Sequence, residues 1–111
     1  MTEFNPPARI VLTTVASPEE ADHLGRTLVE ESLAACATLI PGVRSIYRWQ
    51  GQLEINTETL VLLKTGPDQL PALETRLREL HSYETPEFLV LPVESGSQAY
   101  LEWLSAGLKA P

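Results

Sequence analysis

The stretch from Leu33 to Thr65 most constrains what this chain can fold into. It opens as Leu33-Ala34-Ala35-Cys36-Ala37-Thr38-Leu39-Ile40 and breaks at Pro41-Gly42. It resumes as Val43-Arg44-Ser45-Ile46-Tyr47-Arg48-Trp49, turns at Gln50-Gly51 and returns as Gln52 to Thr65. Two runs rich in β-branched and aromatic residues around a short Gly-containing turn predict a hairpin. Each arm is well over the usual strand length of about five or six residues. Val43, Ser45, Tyr47 and Trp49 share one face, and Arg44, Ile46 and Arg48 the other. On the return, Leu53, Ile55, Thr57, Thr59, Val61 and Leu63 alternate with Glu54, Asn56, Glu58, Leu60 and Leu62. A hairpin this long overshoots a small domain and leaves Tyr47, Trp49 and Ile55 bare at its far end. Exposed edges and aromatic tips invite pairing with another chain.

Composition narrows the partners. The 111 residues suit one domain, and 43% hydrophobic content is ordinary for a globular protein. Fifteen acidic and eight basic side chains give a net charge of −7, the wrong balance for nucleic acid or an anionic membrane. A lone cysteine excludes an intrachain disulfide and suits a reducing compartment. No apolar run approaches the roughly 20 residues of a membrane span. The first residues lack the basic and apolar regions of a secretory signal, so a cytoplasmic protein is expected.

Residues 1–8, with Asn5-Pro6-Pro7, are expected to be a loose tail, and residues 9–111 a single domain. Arg9 to Val15 reads as a strand buried on both faces or nearly so. Ser17-Pro18-Glu19-Glu20 starts a helix: Ser17 caps, Pro18 fits the first position and Glu20 completes a capping box. Ala21, Leu24, Leu28 and Val29 form its apolar stripe, and its end is expected near Ser32. After the hairpin, Gly66-Pro67-Asp68 stops the strand and offers Asp68 as a cap. Leu70, Leu73, Leu77 and Leu80 then make a second helical stripe. His81 to Glu87 is the loop densest in useful chemistry. Phe88 to Val93 reads as another buried strand, and Ser97 caps a short last helix that ends near Gly107. The order of elements predicts an α+β, ferredoxin-like (βαββαβ) sandwich. It has an antiparallel sheet, a long central hairpin and a short C-terminal helix.

The chemistry on offer is sparse. His81 and Glu87, six apart across Pro86, form a plausible ligand pair for copper or zinc; equally they read as a helix-end histidine and a loop carboxylate. Cys36, among alanines, reads as a small core residue, with a soft metal ligand as the sharper alternative. Lys64 ends an apolar run and reads as a side chain that snorkels to water. Tyr47, Trp49, Tyr100 and Trp103 read as packing and interface residues. No acid–base pair or partnered nucleophile stands out, so no enzyme is expected.

Five blocks in order then resemble one known family: Leu33-Ala34-Ala35-Cys36-Ala37, Ser45-Ile46-Tyr47-Arg48-Trp49-Gln50-Gly51, Leu63-Lys64-Thr65, His81-Ser82-Tyr83-Glu84-Thr85-Pro86-Glu87 and Tyr100-Leu101-Glu102-Trp103. They are similar to the signature blocks of CutA, the divalent-cation tolerance proteins, over about Ile10 to Leu108. The resemblance implies a ferredoxin-like subunit and a homotrimer in which hairpin arms of different subunits pair. It also implies a cytosolic role in tolerance of divalent metals, copper especially, without supplying a mechanism. Joined to the ligand pair read from the residues, it leads to the expectation of a copper or other divalent ion bound weakly through His81 and Glu87, with Cys36 as the further ligand. In the family pattern the counterparts of Lys64, His81, Tyr83 and Glu87 line a cleft between subunits. The alternative role is therefore a signalling or scaffold trimer that holds a small organic ligand or anion through Lys64, Tyr83 and Glu87. Trimer contacts are expected of Tyr47, Trp49, Ile55, Tyr100 and Trp103. The chain departs from the family pattern at Ser82, where proline is usual. It also departs at Thr13 or Thr14, where some members carry cysteine, and at Leu80, where some carry a second histidine.

Overall fold

One of the two interior strands is β1 (Arg9–Val15), whose β-branched run pairs on both edges in the computed structural model, which describes residues 6–109. It is followed by α1 (Pro18–Glu30), β2 (Cys36–Trp49), β3 (Gln52–Thr65), a 3-10 turn (Pro67–Gln69), α2 (Leu70–Leu80), β4 (Leu89–Pro92) and α3 (Gln98–Ala106). The sheet order is β2-β3-β1-β4, antiparallel throughout. Helices α1 and α2 pack together on one face, the ferredoxin-like arrangement the element order predicts.

The core follows from the pleat. Val11, Thr13 and Val15 of β1 and Val61 and Leu63 of β3 point to the helices, which answer with Leu24, Leu28, Leu73 and Leu77; all are buried. At Gly25, α1 approaches β2 so closely that a Cβ would stand 3.0 Å from the Cβ of Ala37. Thr13 brings a hydroxyl into this core, and its Oγ1 has no hydrogen-bond partner among the described residues. A buried hydroxyl left unpaired costs on the order of 1–3 kcal/mol. Thr13→Val keeps the shape and removes the hydroxyl, so it is expected to stabilise the protein by about 1 kcal/mol. A urea melt in which the variant unfolds earlier would show that the hydroxyl is satisfied.

The hairpin is as long as expected, and both arms have 14 residues. Gln50 (φ 50°) and Gly51 (φ 80°) both lie in the left-handed region, as a two-residue type I′ connection requires. The expected break at Pro41-Gly42 is instead a β-bulge: β2 is continuous, with its register shifted between Ile40 and Val43 and Gly42 at φ 76°. β1 pairs with β3 only as far as Val15–Thr59. The rest of the hairpin therefore projects, and the molecule measures 55 × 28 × 23 Å.

Several expectations need correction. Only one face of β1 is fully buried; Ile10, Leu12 and Thr14 are half-covered, and all four residues of β4 are exposed. The helices cover one side of the sheet, and α3 reaches only one end of the other, through Leu101 and Leu104 against Ala8, Ala35 and Val93. Asp68 does not cap α2, because it lies inside the 3-10 turn, and α2 starts without any side-chain cap. Ser17 does cap α1, accepting from the Glu20 N–H at 3.1 Å. The reciprocal half of the capping box does not form, because the Glu20 carboxylate goes to Ser82. Within the expected tail, Ala8 is buried under α3, while residues 1–5 lie outside the described residues.

Candidate functional site

Helix α2 ends at Leu80, and the chain must cross the end of β1 to reach β4 at the sheet edge. The crossing, residues 81–88, is pinned by His81. Its side chain is buried, with Nε2 2.8 Å from the Thr14 carbonyl and Nδ1 3.0 Å from the Tyr83 N–H. A carbonyl only accepts, so Nε2 carries the proton and Nδ1 is the acceptor. Glu20, from the first turn of α1, accepts from the Ser82 N–H at 3.1 Å and the Ser82 hydroxyl at 2.9 Å. One of its oxygens stands 3.8 Å from His81 Nδ1. The loop is therefore fastened to both α1 and β1.

This fastening places Tyr83. Its ring lies 4.8 Å from the His81 ring, tilted by 50°, and its hydroxyl donates to Glu58 Oε2 at 2.7 Å. Glu58 sits on β3 just where the hairpin leaves β1, and it is only 7% exposed. Partial burial, and then the carboxylate it donates to, raise the Tyr83 phenol well above its ordinary value. Ionisation adds charge, so the stability this group contributes is intact below pH 10 and is lost as pH rises beyond it. Phenolate absorbance is expected to show one tyrosine titrating later than the others, and Glu58→Gln is expected to bring it back toward them. Three tyrosines titrating together would show that the bond does not persist in solution.

Between this loop and the projecting half of the hairpin lies an open cleft of about 730 Å³. Tyr47, Trp49, Glu58, Tyr83, Glu84 and Glu87 line it, with Asn56, whose amide donates to the Tyr47 hydroxyl. Three carboxylates and three aromatic rings thus share one concavity.

Lys64 does not reach it. It stands opposite Cys36 in the hairpin register, six residues along β3 from Glu58, or about 20 Å. Its Nζ donates to the Tyr100 hydroxyl at 3.1 Å and lies 5.5 Å from that ring's centre. The Tyr100 bond and then the neighbouring Cys36 thiol raise the Lys64 ammonium, against the effect of burial. Cys36, half-buried rather than fully in the core, opens onto a separate groove of about 380 Å³ with Gly25, Val29 and Trp103.

The expected site residues therefore fall into two groups. Tyr83 and Glu87 come together; Lys64 and Cys36 come together at the other end of the sheet. The metal set His81, Glu87 and Cys36 is not assembled within one chain: Cys36 is remote, and both imidazole nitrogens of His81 already hold hydrogen bonds. Among the described residues no group of three or more His, Cys, Asp or Glu side chains is placed to hold a metal ion. Sequence reasoning missed Glu58 and Glu20. Glu58 had one signal, as the acid nearest the apolar base of β3, just before Leu60 and Leu62. Glu20 had none, because its partner lies 62 residues away.

The chain matches the family described as CutA1 divalent ion tolerance protein over residues 9–107. The divalent-cation tolerance protein CutA of Thermus thermophilus is 46% identical over 95 residues, covering 86% of this chain and 92% of that protein. Its namesake from Pectobacterium atrosepticum is 45% identical over 102 residues, covering 92% and 93%. The crystal structure of CutA1 from Oryza sativa superposes with a TM-score of 0.92 at 34% identity, covering 96% of this chain and 98% of that one.

Proposed function

The chain belongs to the CutA1 divalent ion tolerance family, and on that footing we propose that it works in tolerance of divalent metal ions, copper among them, as a cytosolic homotrimer that binds metal weakly beside a cleft between subunits. The observation that carries this reading is the division of the site residues. Glu87 with Tyr83, and Cys36 with Lys64, occupy opposite ends of one sheet. Only a second copy can bring one end to the other. The uncovered apolar side of the sheet and the projecting hairpin supply the surface for that contact. Glu87, exposed at the cleft rim, is the ligand most open to a metal; His81 serves by holding the loop.

Copper and zinc titration calorimetry on the intact protein tests the reading, with Glu87→Gln alongside. Saturable weak binding of about one ion per chain is expected, reduced about tenfold or more by the substitution, which is about 1.4 kcal/mol. Absence of saturable binding at millimolar metal, or binding that Glu87→Gln leaves unchanged, would overturn it.

A further inference from the structure

The hairpin leaves the body of the molecule with little to hold its direction. β1 pairs with β3 only up to Thr59, so the seven pairs from Val43–Glu58 to Trp49–Gln52 form a two-stranded ribbon on their own. The bulge between Ile40 and Val43 falls at that exit. Gly42 within it lies in the left-handed region, and a Cβ added there would meet nothing within 4 Å. Bulges bend the strand that carries them, and a two-stranded ribbon is marginal by itself. The ribbon is about 20 Å long, so a tilt of about 10° at its base carries the tip about 3–4 Å. Packed contacts between chains do not tolerate a displacement of that size.

One side-chain bond bridges the exit. Among the described residues, the Tyr83 hydroxyl donating to Glu58 Oε2 at 2.7 Å is the only side-chain hydrogen bond from the projecting pairs to the rest of the chain. The bonds from Asn56 to Tyr47 and from Arg48 to the Gly51 carbonyl stay within the hairpin. Glu58 belongs to the first pair beyond the exit, opposite Val43 and so beside the bulge. It is nearly buried, and a hydrogen bond to a carboxylate sheltered from water is a strong one. The other end of the bond is fixed to the body. His81 ties the loop to Thr14 of β1, Glu20 ties Ser82 to α1, and the Tyr83 ring lies against that of His81.

We propose that residues 81–88 act as a strap that fixes the angle at which the hairpin projects, fastened by Tyr83 on Glu58. On the trimer reading, that angle decides where the apolar tip meets another copy, so Tyr83 and Glu58 are positioning residues for assembly. The same loop carries Glu87, so the strap joins the segment of the proposed metal ligand to the arm used in assembly. Its bonds lie within one chain, and the strap holds whether the cleft is open or filled by a neighbouring copy.

Hydrogen exchange on the whole protein tests the strap. Tyr83→Phe keeps the ring and removes only the hydroxyl. In this variant the hydrogen-bonded amides of residues 44–57 are expected to exchange at least about tenfold faster than in the parent, and those of β1 and residues 59–65 to stay within about twofold. Glu58→Gln keeps an acceptor for the phenol and is expected to stay near the parent, whereas Glu58→Ala is expected to match Tyr83→Phe. Unchanged exchange of residues 44–57 in Tyr83→Phe would overturn the proposal. So would equal acceleration of every strand, which a general loss of stability produces, or Glu58→Gln exchanging as fast as Tyr83→Phe. Light scattering on the same samples keeps the two readings apart. A parent of three chains with unchanged exchange in Tyr83→Phe sinks the strap and leaves the trimer. A parent of one chain with faster exchange in Tyr83→Phe sinks the trimer and leaves the strap.

Discussion

Leu63→Ala is expected to destabilise the protein by about 3 kcal/mol and to lower the midpoint of thermal unfolding by roughly 10–20 °C. Leu63 is fully buried on β3, on the face where the sheet meets α1 and α2. Truncation removes apolar area and leaves a cavity that rigid strands on both sides cannot close: β3 is paired with β1 and β2 at that position, through Val11 and Ala37. Against a total stability of about 5–15 kcal/mol, such a loss is severe. The companion variant is Ile40→Ala, on the uncovered side of the sheet, where the single chain leaves Ile40 41% exposed. If the chain were always alone, with Ile40 a little over half covered, this substitution would cost about 1–1.5 kcal/mol. If other copies cover that side, its cost rises toward that of Leu63→Ala and the melting midpoint depends on protein concentration. Urea or thermal melts of both variants at two concentrations read this directly. A Leu63→Ala protein as stable as its parent would contradict the core described here.

The helices, the hairpin and their order were legible because each is written locally. The Ser17-Pro18 start, the Leu70-Leu73-Leu77-Leu80 stripe and the alternation from Gln52 to Thr65 need no knowledge of distant residues. Pro41-Gly42 misleads for a physical reason. Glycine and proline punctuate most strands, but here they make a bulge, and the pairing resumes beyond it with each face intact. The runs in β1 and β4 read as buried on both sides because their composition matches that environment. One chain covers only one side, so composition records a surface that the single chain does not itself enclose. The site was half legible. Tyr83 and Glu87 stand out in a polar loop, yet nothing in the sequence says that the Tyr83 hydroxyl travels to Glu58, 25 residues back along the chain. The sequence also could not tell that His81 would spend both nitrogens on Thr14 and Tyr83. A histidine at a helix end and a histidine ligand are spelled the same way, and only the carbonyl and amide around the ring distinguish them.

Replacing Trp49 and Ile55 together by lysine is expected to convert the proposed trimer to single chains while leaving the fold of the chain in place. Both residues lie on the projecting half of the hairpin, beyond the last β1 pair. Trp49 is 56% and Ile55 50% exposed in the single chain, and Ile46 (63%) and Leu53 (64%) lie bare beside them. None of the four takes part in the buried core, so the far-ultraviolet spectrum should stay close to that of the parent. An apolar tip of this size is costly to leave in water, and obligate interfaces bury such surfaces with aromatic anchors at their centres. The charge change sharpens the test. Two lysines move the formal net charge from −7 to −5, which weakens repulsion between like chains. Dissociation would therefore arise from the lost apolar contacts and not from charge at large. Multi-angle light scattering at micromolar concentration is the measurement. A parent protein with one-chain mass would remove the trimer from the proposed function, and the cleft between subunits with it. A parent of three chains whose variant also keeps three would place the essential contacts on the uncovered side of the sheet, at residues such as Ile40 and Leu91.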